Sequence, residues 1–91
     1  MSMGGSFLGM DTVQVRSLAT DMDTTAETLR TALGRLSGKL GQNIWHGPDA
    51  SKFRSEWDGV HVKHLNALIL ELKGAAELAR KNATQQDTAS A

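Results

Sequence analysis

The chain lacks cysteine and tyrosine altogether and has a single proline among its 91 residues. Without cysteine there is no disulfide framework and no thiolate chemistry. One proline leaves long helices only one hard stop. An excess of positive charge is also missing: ten Lys and Arg balance ten Asp and Glu. The electrostatic footprint of a nucleic-acid binder is therefore absent. No apolar run approaches the ~20 residues that a membrane-spanning helix needs. The first ten residues have no basic segment followed by a long apolar core, so a secretory signal peptide is not expected there. Two Phe and two Trp leave most of the core to Ala, Leu and Met.

What is present is helical periodicity on both sides of Trp45-His46-Gly47. The first helix is expected over 11–43, behind an N-terminal arm, 1–10. Asp11 stands at the cap and Gln14 three residues later, a capping-box arrangement, with Met10 and Val15 at the staple positions. The apolar series Val15, Leu18, Met22, Ala26, Leu29, Leu33, Leu36, Leu40 follows. Within it Val15, Met22, Leu29 and Leu36 recur every seven residues, the spacing of a narrow packing seam. Gly34, Gly38 and Gly41 weaken the last turns, which implies either fraying or a close helix contact. The turn is expected at 44–47. Pro48 and Asp49 then suit the first turn of a second helix, over 48–83.

That second helix carries two apolar stripes. One is Phe53, Trp57, Val60, His64, Ala67/Leu68, Ala75, Leu78; the other is Val62, Leu65, Ile69, Leu72, Ala76, Ala79, Ala83. Together they are wider than one neighbouring helix can cover. A connection as short as 44–47 brings the helices back alongside each other as an antiparallel hairpin. The surplus apolar face then predicts an oligomer, with two hairpins forming an all-α four-helix bundle. Residues 84–91 lose apolar content and form a C-terminal tail that either extends the helix or is mobile.

The string Trp45-His46-Gly47-Pro48-Asp49-Ala50, followed by Phe53-Arg54 and Trp57, resembles the small Trp-x-Gly proteins of type VII secretion, the early-secreted-antigen type, in their actinobacterial branch. The likeness runs over essentially the whole chain. It implies a helical hairpin that dimerises, with itself or with a paralogous small Trp-x-Gly chain, and is exported folded by an ATP-driven membrane complex. Trp45 and Gly47 match that family's turn residues. The family's export signal, a tyrosine followed four residues on by an acid, has no counterpart here: Ala83 takes the tyrosine's place before Asp87. Trp45, Ala83 and Asp87 are accordingly the candidate export-recognition patch. Localisation outside the cell by the type VII route is the expectation, with a cytoplasmic adaptor for a larger toxin as the alternative and a membrane-perturbing effector as a second one.

Other chemistries are weaker. His61 and His64 are three apart on one helix, but only Asp58 is near enough to be a third metal ligand, and His64 lies among apolar positions. Glu56 and Asp58 face different directions and form no acid–base pair. No Gly-rich phosphate loop is present. The residues therefore imply no enzyme, metal or cofactor. Lys63, Lys73, Arg80 and Lys81 mix with Glu71 and Glu77 on the polar side of the second helix, so stable membrane binding is not expected. The residues assigned to core or dimer packing are Val15, Leu18, Met22, Leu29, Leu33, Leu36, Phe53, Trp57, Val60, His64, Leu65, Leu68, Ile69 and Leu72.

Overall fold

The computed structural model describes residues 9–90, which are helical apart from the lead-in at 9–11 and the turn at 42–47. Most of the arm at 1–10 lies outside the described residues. Helix α1 covers Thr12–Gly41. Helix α2 covers Pro48–Glu56. A five-residue π turn, Trp57–His61, leads directly into α3, Val62–Ser90. No strand occurs among the described residues.

The start of α1 follows from its cap. The Gln14 amide donates to Asp11 Oδ1 at 3.1 Å, satisfying one of the donors that a helix N-terminus leaves open. At the other end the Gln42 amide donates to the Lys39 carbonyl at 3.1 Å, and Asn43 adopts a left-handed conformation at φ 62°. Asn tolerates that region better than other residues with a side chain. The glycines of α1 make no close contact within this chain. A Cβ built on Gly34, Gly38 or Gly41 would meet no atom within 4 Å, and the helix runs unbroken through Gly41.

The second helical stretch does not end at Ala83 but continues to Ser90. Residues 84–90 contain no Pro or Gly to stop it. Several of them are engaged: Gln86 is buried and donates to Ser90, Asp87 is ion-paired, and Thr84 accepts from Arg16.

The described residues pack as two compact units, 9–25 with 72–90 and 26–71. In the first, Ala19, Ala76 and Ala83 are completely buried. Alanine at such positions lets two helix backbones approach closely, because no long side chain holds them apart. Val15, Met22, Leu72 and Ala79 flank these alanines and stay half-buried. Two ion pairs close one side of the unit. Arg16 Nη2 lies 2.8 Å from Asp87 Oδ2, and Arg80 Nη2 lies 2.6 Å from Asp23 Oδ2. Arg16 also donates to Thr84 Oγ1 at 3.5 Å.

In the second unit Ala26, Ala50, Trp57 and Ile69 are buried, with Leu29, Leu33, Leu40, Val62 and Leu65 half-buried around them. The Trp57 indole Nε1 donates to Ser37 Oγ at 2.9 Å, which satisfies the one polar group of that ring inside the unit.

Gln86 is the discordant member of the first unit. It is buried on a line of otherwise apolar positions, and its Nε2 donates to Ser90 Oγ at 2.8 Å. Its Oε1 meets no hydrogen-bond donor among the described residues. A buried acceptor left unpaired costs about 1–3 kcal/mol. Gln86→Leu is therefore expected to stabilise the chain by about 1 kcal/mol, raising the thermal midpoint by about 4–8 °C. Calorimetry on the two proteins measures it, and a lowered midpoint would mean that the amide is satisfied in solution.

Candidate functional site

The turn between α1 and α2 is built by backbone geometry and one cation. Gly47 sits at φ 109°, ψ 177°, a region of backbone space open essentially to glycine alone. Its carbonyl accepts from the Ser51 amide at 3.0 Å, which begins α2, and Pro48 occupies the first helical position. Pro48 suits that place because the amide proton it lacks would have had no partner within the helix. Arg54, one and a half turns into α2, reaches back and donates from Nη1 to the Trp45 carbonyl at 2.7 Å. The turn is thus clamped to the helix it starts through the Trp45 backbone.

That ring is half exposed, at 48 %. It heads a row of rings along the second unit. Trp45 and Phe53 are 6.0 Å apart between centroids, Phe53 and Trp57 6.2 Å and near-parallel, and His61 lies 6.3 Å from both Phe53 and Trp57. Such spacings are within the range of favourable ring contacts. Trp57 anchors the row in the core while Trp45, Phe53 and His61 keep open faces. Ile44, beside Trp45, is more exposed still at 69 %. The turn therefore presents an apolar, partly aromatic surface.

The residues assigned to packing divide into three groups. Trp57 and Ile69 are buried within the chain. Val15, Met22, Leu29, Leu33, Leu65 and Leu72 are half-buried. Leu18, Leu36, Phe53, Val60, His64 and Leu68 are exposed. Of the two stripes on the second helix, the one running from Val62 to Ala83 is turned inward. The one containing Val60, Leu68 and Leu78 is left in the open apart from buried Trp57, with Leu78 at 57 %.

The remaining members of the expected export patch are placed in the first unit. Ala83 is completely buried, so its methyl offers no surface on this chain. Asp87 is exposed but occupied. Hydrogen bonds from Thr12 and then from Arg16 hold its carboxyl below the usual carboxylate range. As a surface pair, Arg16–Asp87 orients side chains more than it stabilises the fold.

Four contributions were not legible in the sequence. Ser37 has no local mark that it would receive the Trp57 indole twenty residues on. Arg54 was visible only as part of the string around the turn. Ala19 is too small and too common to be singled out, and Ala50 stood only within the string around the turn, yet both are completely buried. No group of three or more His, Cys, Asp or Glu that could hold a metal occurs among the described residues. No helix among them is long and apolar enough to cross a membrane. No protein-family model, curated protein or solved structure matches this chain.

Proposed function

We propose that this protein is a non-enzymatic helical hairpin that dimerises into a four-helix bundle and is exported by, or serves, a type VII secretion machinery. Its activity is protein–protein recognition, with itself or a paralogous small chain as the dimer partner and the ATP-driven export complex as the reader.

The observation that carries this most is the turn: Trp45-His46-Gly47 joins two amphipathic helices, with Gly47 in a glycine-only conformation and the Trp45 ring half exposed. Support for the antiparallel pairing comes from the first unit, where Arg16 meets Asp87 and Asp23 meets Arg80, so numbers rise along one helix as they fall along the other. Support for a partner comes from the apolar side chains left uncovered. Leu18, Leu36, Val60, Leu68 and Leu78 are all between 42 % and 57 % exposed, and covering them would remove apolar surface from water. The ion pairs of the first unit lie on one side and need no cover, whereas half-buried Val15, Met22 and Leu72 gain from it.

The test compares the parent with Trp45→Ala for sedimentation mass, thermal midpoint and level in the culture filtrate of a host that carries the machinery. The parent is expected to sediment as a dimer at micromolar concentration and to appear in the filtrate. Trp45→Ala is expected to keep the dimer, lose about 1–2 kcal/mol because the ring is only half buried, and lose most of its export. A compact, fully helical monomer in the parent would sink the dimer. A parent retained in the cell would favour the cytoplasmic adaptor instead. Full export of Trp45→Ala would leave that ring a packing residue.

A further inference from the structure

We propose that the π turn Trp57–His61 holds one supernumerary residue and acts as a joint, at which the turn-proximal helix α2 is uncoupled in register from the start of α3.

The inference comes from the phase of the buried and half-buried positions along 48–71. Before the joint they are buried Ala50, half-buried Arg54 and buried Trp57, spaced four and three; after it they are half-buried Val62 and Leu65 and buried Ile69, spaced three and four. Each set alone is the spacing of a continuous seam. Between Trp57 and Val62, however, the step is five, and Asp58, Gly59, Val60 and His61 are all exposed. An α-helix advancing five residues from Trp57 overshoots the seam by about 140°, since each residue turns it about 100°. Widening the helix to the π pattern over these residues absorbs the excess, so that both segments keep their apolar faces inward.

Two anchors make this geometry obligatory. Trp57 is fixed by burial and by its bond to Ser37. Ile69 is fixed by near-complete burial at 2 % exposure. Neither can rotate outward without losing its packing, so the mismatch is stored between them. Gly59 lies at its centre, where a Cβ would meet no atom within 4 Å. Nothing therefore packs on the joint at that point, and its exposed backbone bonds are the ones that open most readily. The joint also sits inside the row of rings, between Trp57 and His61, so its opening would break the 6.3 Å contacts of His61 with Phe53 and Trp57. This conformational device is independent of the export proposal.

The experiment deletes single residues from the full chain. Deleting Gly59 turns the step from Trp57 to Val62 into four, and the seam then alternates four and three throughout in plain α geometry. The thermal midpoint is expected to rise by about 4–8 °C, the response of a domain this size to about 1 kcal/mol. Deleting exposed Asn66 instead throws Ile69 off the seam, and the midpoint should fall by more than that. In the parent, amide hydrogen exchange at 58–61 should be at least roughly tenfold faster than at 65–69, and the deletion of Gly59 should remove the difference. Equal losses of stability in the two deletions would overturn the supernumerary residue. Uniform protection across 58–69 in the parent would overturn the joint.

Discussion

Trp57→Ala is expected to cost about 3–5 kcal/mol of unfolding free energy, the range for deleting a large buried aromatic side chain. The ring is 8 % exposed and stacks on Phe53. Its removal also takes away the N–H donor whose hydrogen bond the Ser37 hydroxyl oxygen accepts. For a chain of this size total stability is about 5–14 kcal/mol, so a large fraction disappears with one side chain. Denaturant unfolding followed by helical circular dichroism gives the difference directly, and Trp45 remains as a fluorescent reporter of the turn. Ser37→Ala separates the two parts of the effect: it keeps the ring but leaves the indole N–H unpaired, at about 1–3 kcal/mol. A loss below about 1 kcal/mol for Trp57→Ala would mean that the ring is not a core residue of the folded chain.

Gly47→Val is expected to be damaging for a different reason. No atom lies within 4 Å of a Cβ at this position, so there is no clash to relieve. The penalty is in the backbone: φ 109° with ψ 177° is closed to residues with a Cβ, at about 1–3 kcal/mol, and β-branching makes it worse. The turn must either strain or rearrange, and a rearranged turn loses the Arg54 clamp on the Trp45 carbonyl. Gly38→Ala is the matched comparison. Gly38 is helical, has the same open space around it, and should gain about 0.5–1 kcal/mol on substitution. Thermal midpoints that move in opposite directions for the two glycines would establish that conformation, not space, decides each. A neutral Gly47→Val would show that the turn takes another path in solution.

The contrast between those glycines shows what kind of information the sequence carries here. Trp45-His46-Gly47-Pro48 marked the turn because glycine and proline have local conformational requirements that no distant residue can change. Asp11 marked the start of α1 for the same reason: a cap acts three residues away. The inward stripe from Val62 to Ala83 was legible because helical periodicity is itself a local property.

Other features depend on which residues meet across the fold. Periodicity listed Leu18 beside Val15 and Leu36 beside Leu33 as packing positions, but it could not say which of each pair the neighbouring helix covers; Val15 and Leu33 are half-buried and the other two are exposed. The loss of apolar content after Ala83 left open whether the tail extends the helix or is mobile; the helix runs on to Ser90 and Arg16 holds Asp87. The break in phase between Trp57 and Val62 did not show in the sequence, because Val60 and His61 sit at ordinary helical spacing from Trp57. The sequence by itself determined where the helices start, where the chain turns and which broad faces are apolar, since those follow from short-range sterics and a 3.6-residue repeat. Only the tertiary structure decided which stripe is covered, how far the last helix extends and where the helix must widen, because each depends on a fixed partner far away in the chain: Ser37 for Trp57, Arg16 for Asp87, and the buried site of Ile69 for everything between it and the turn.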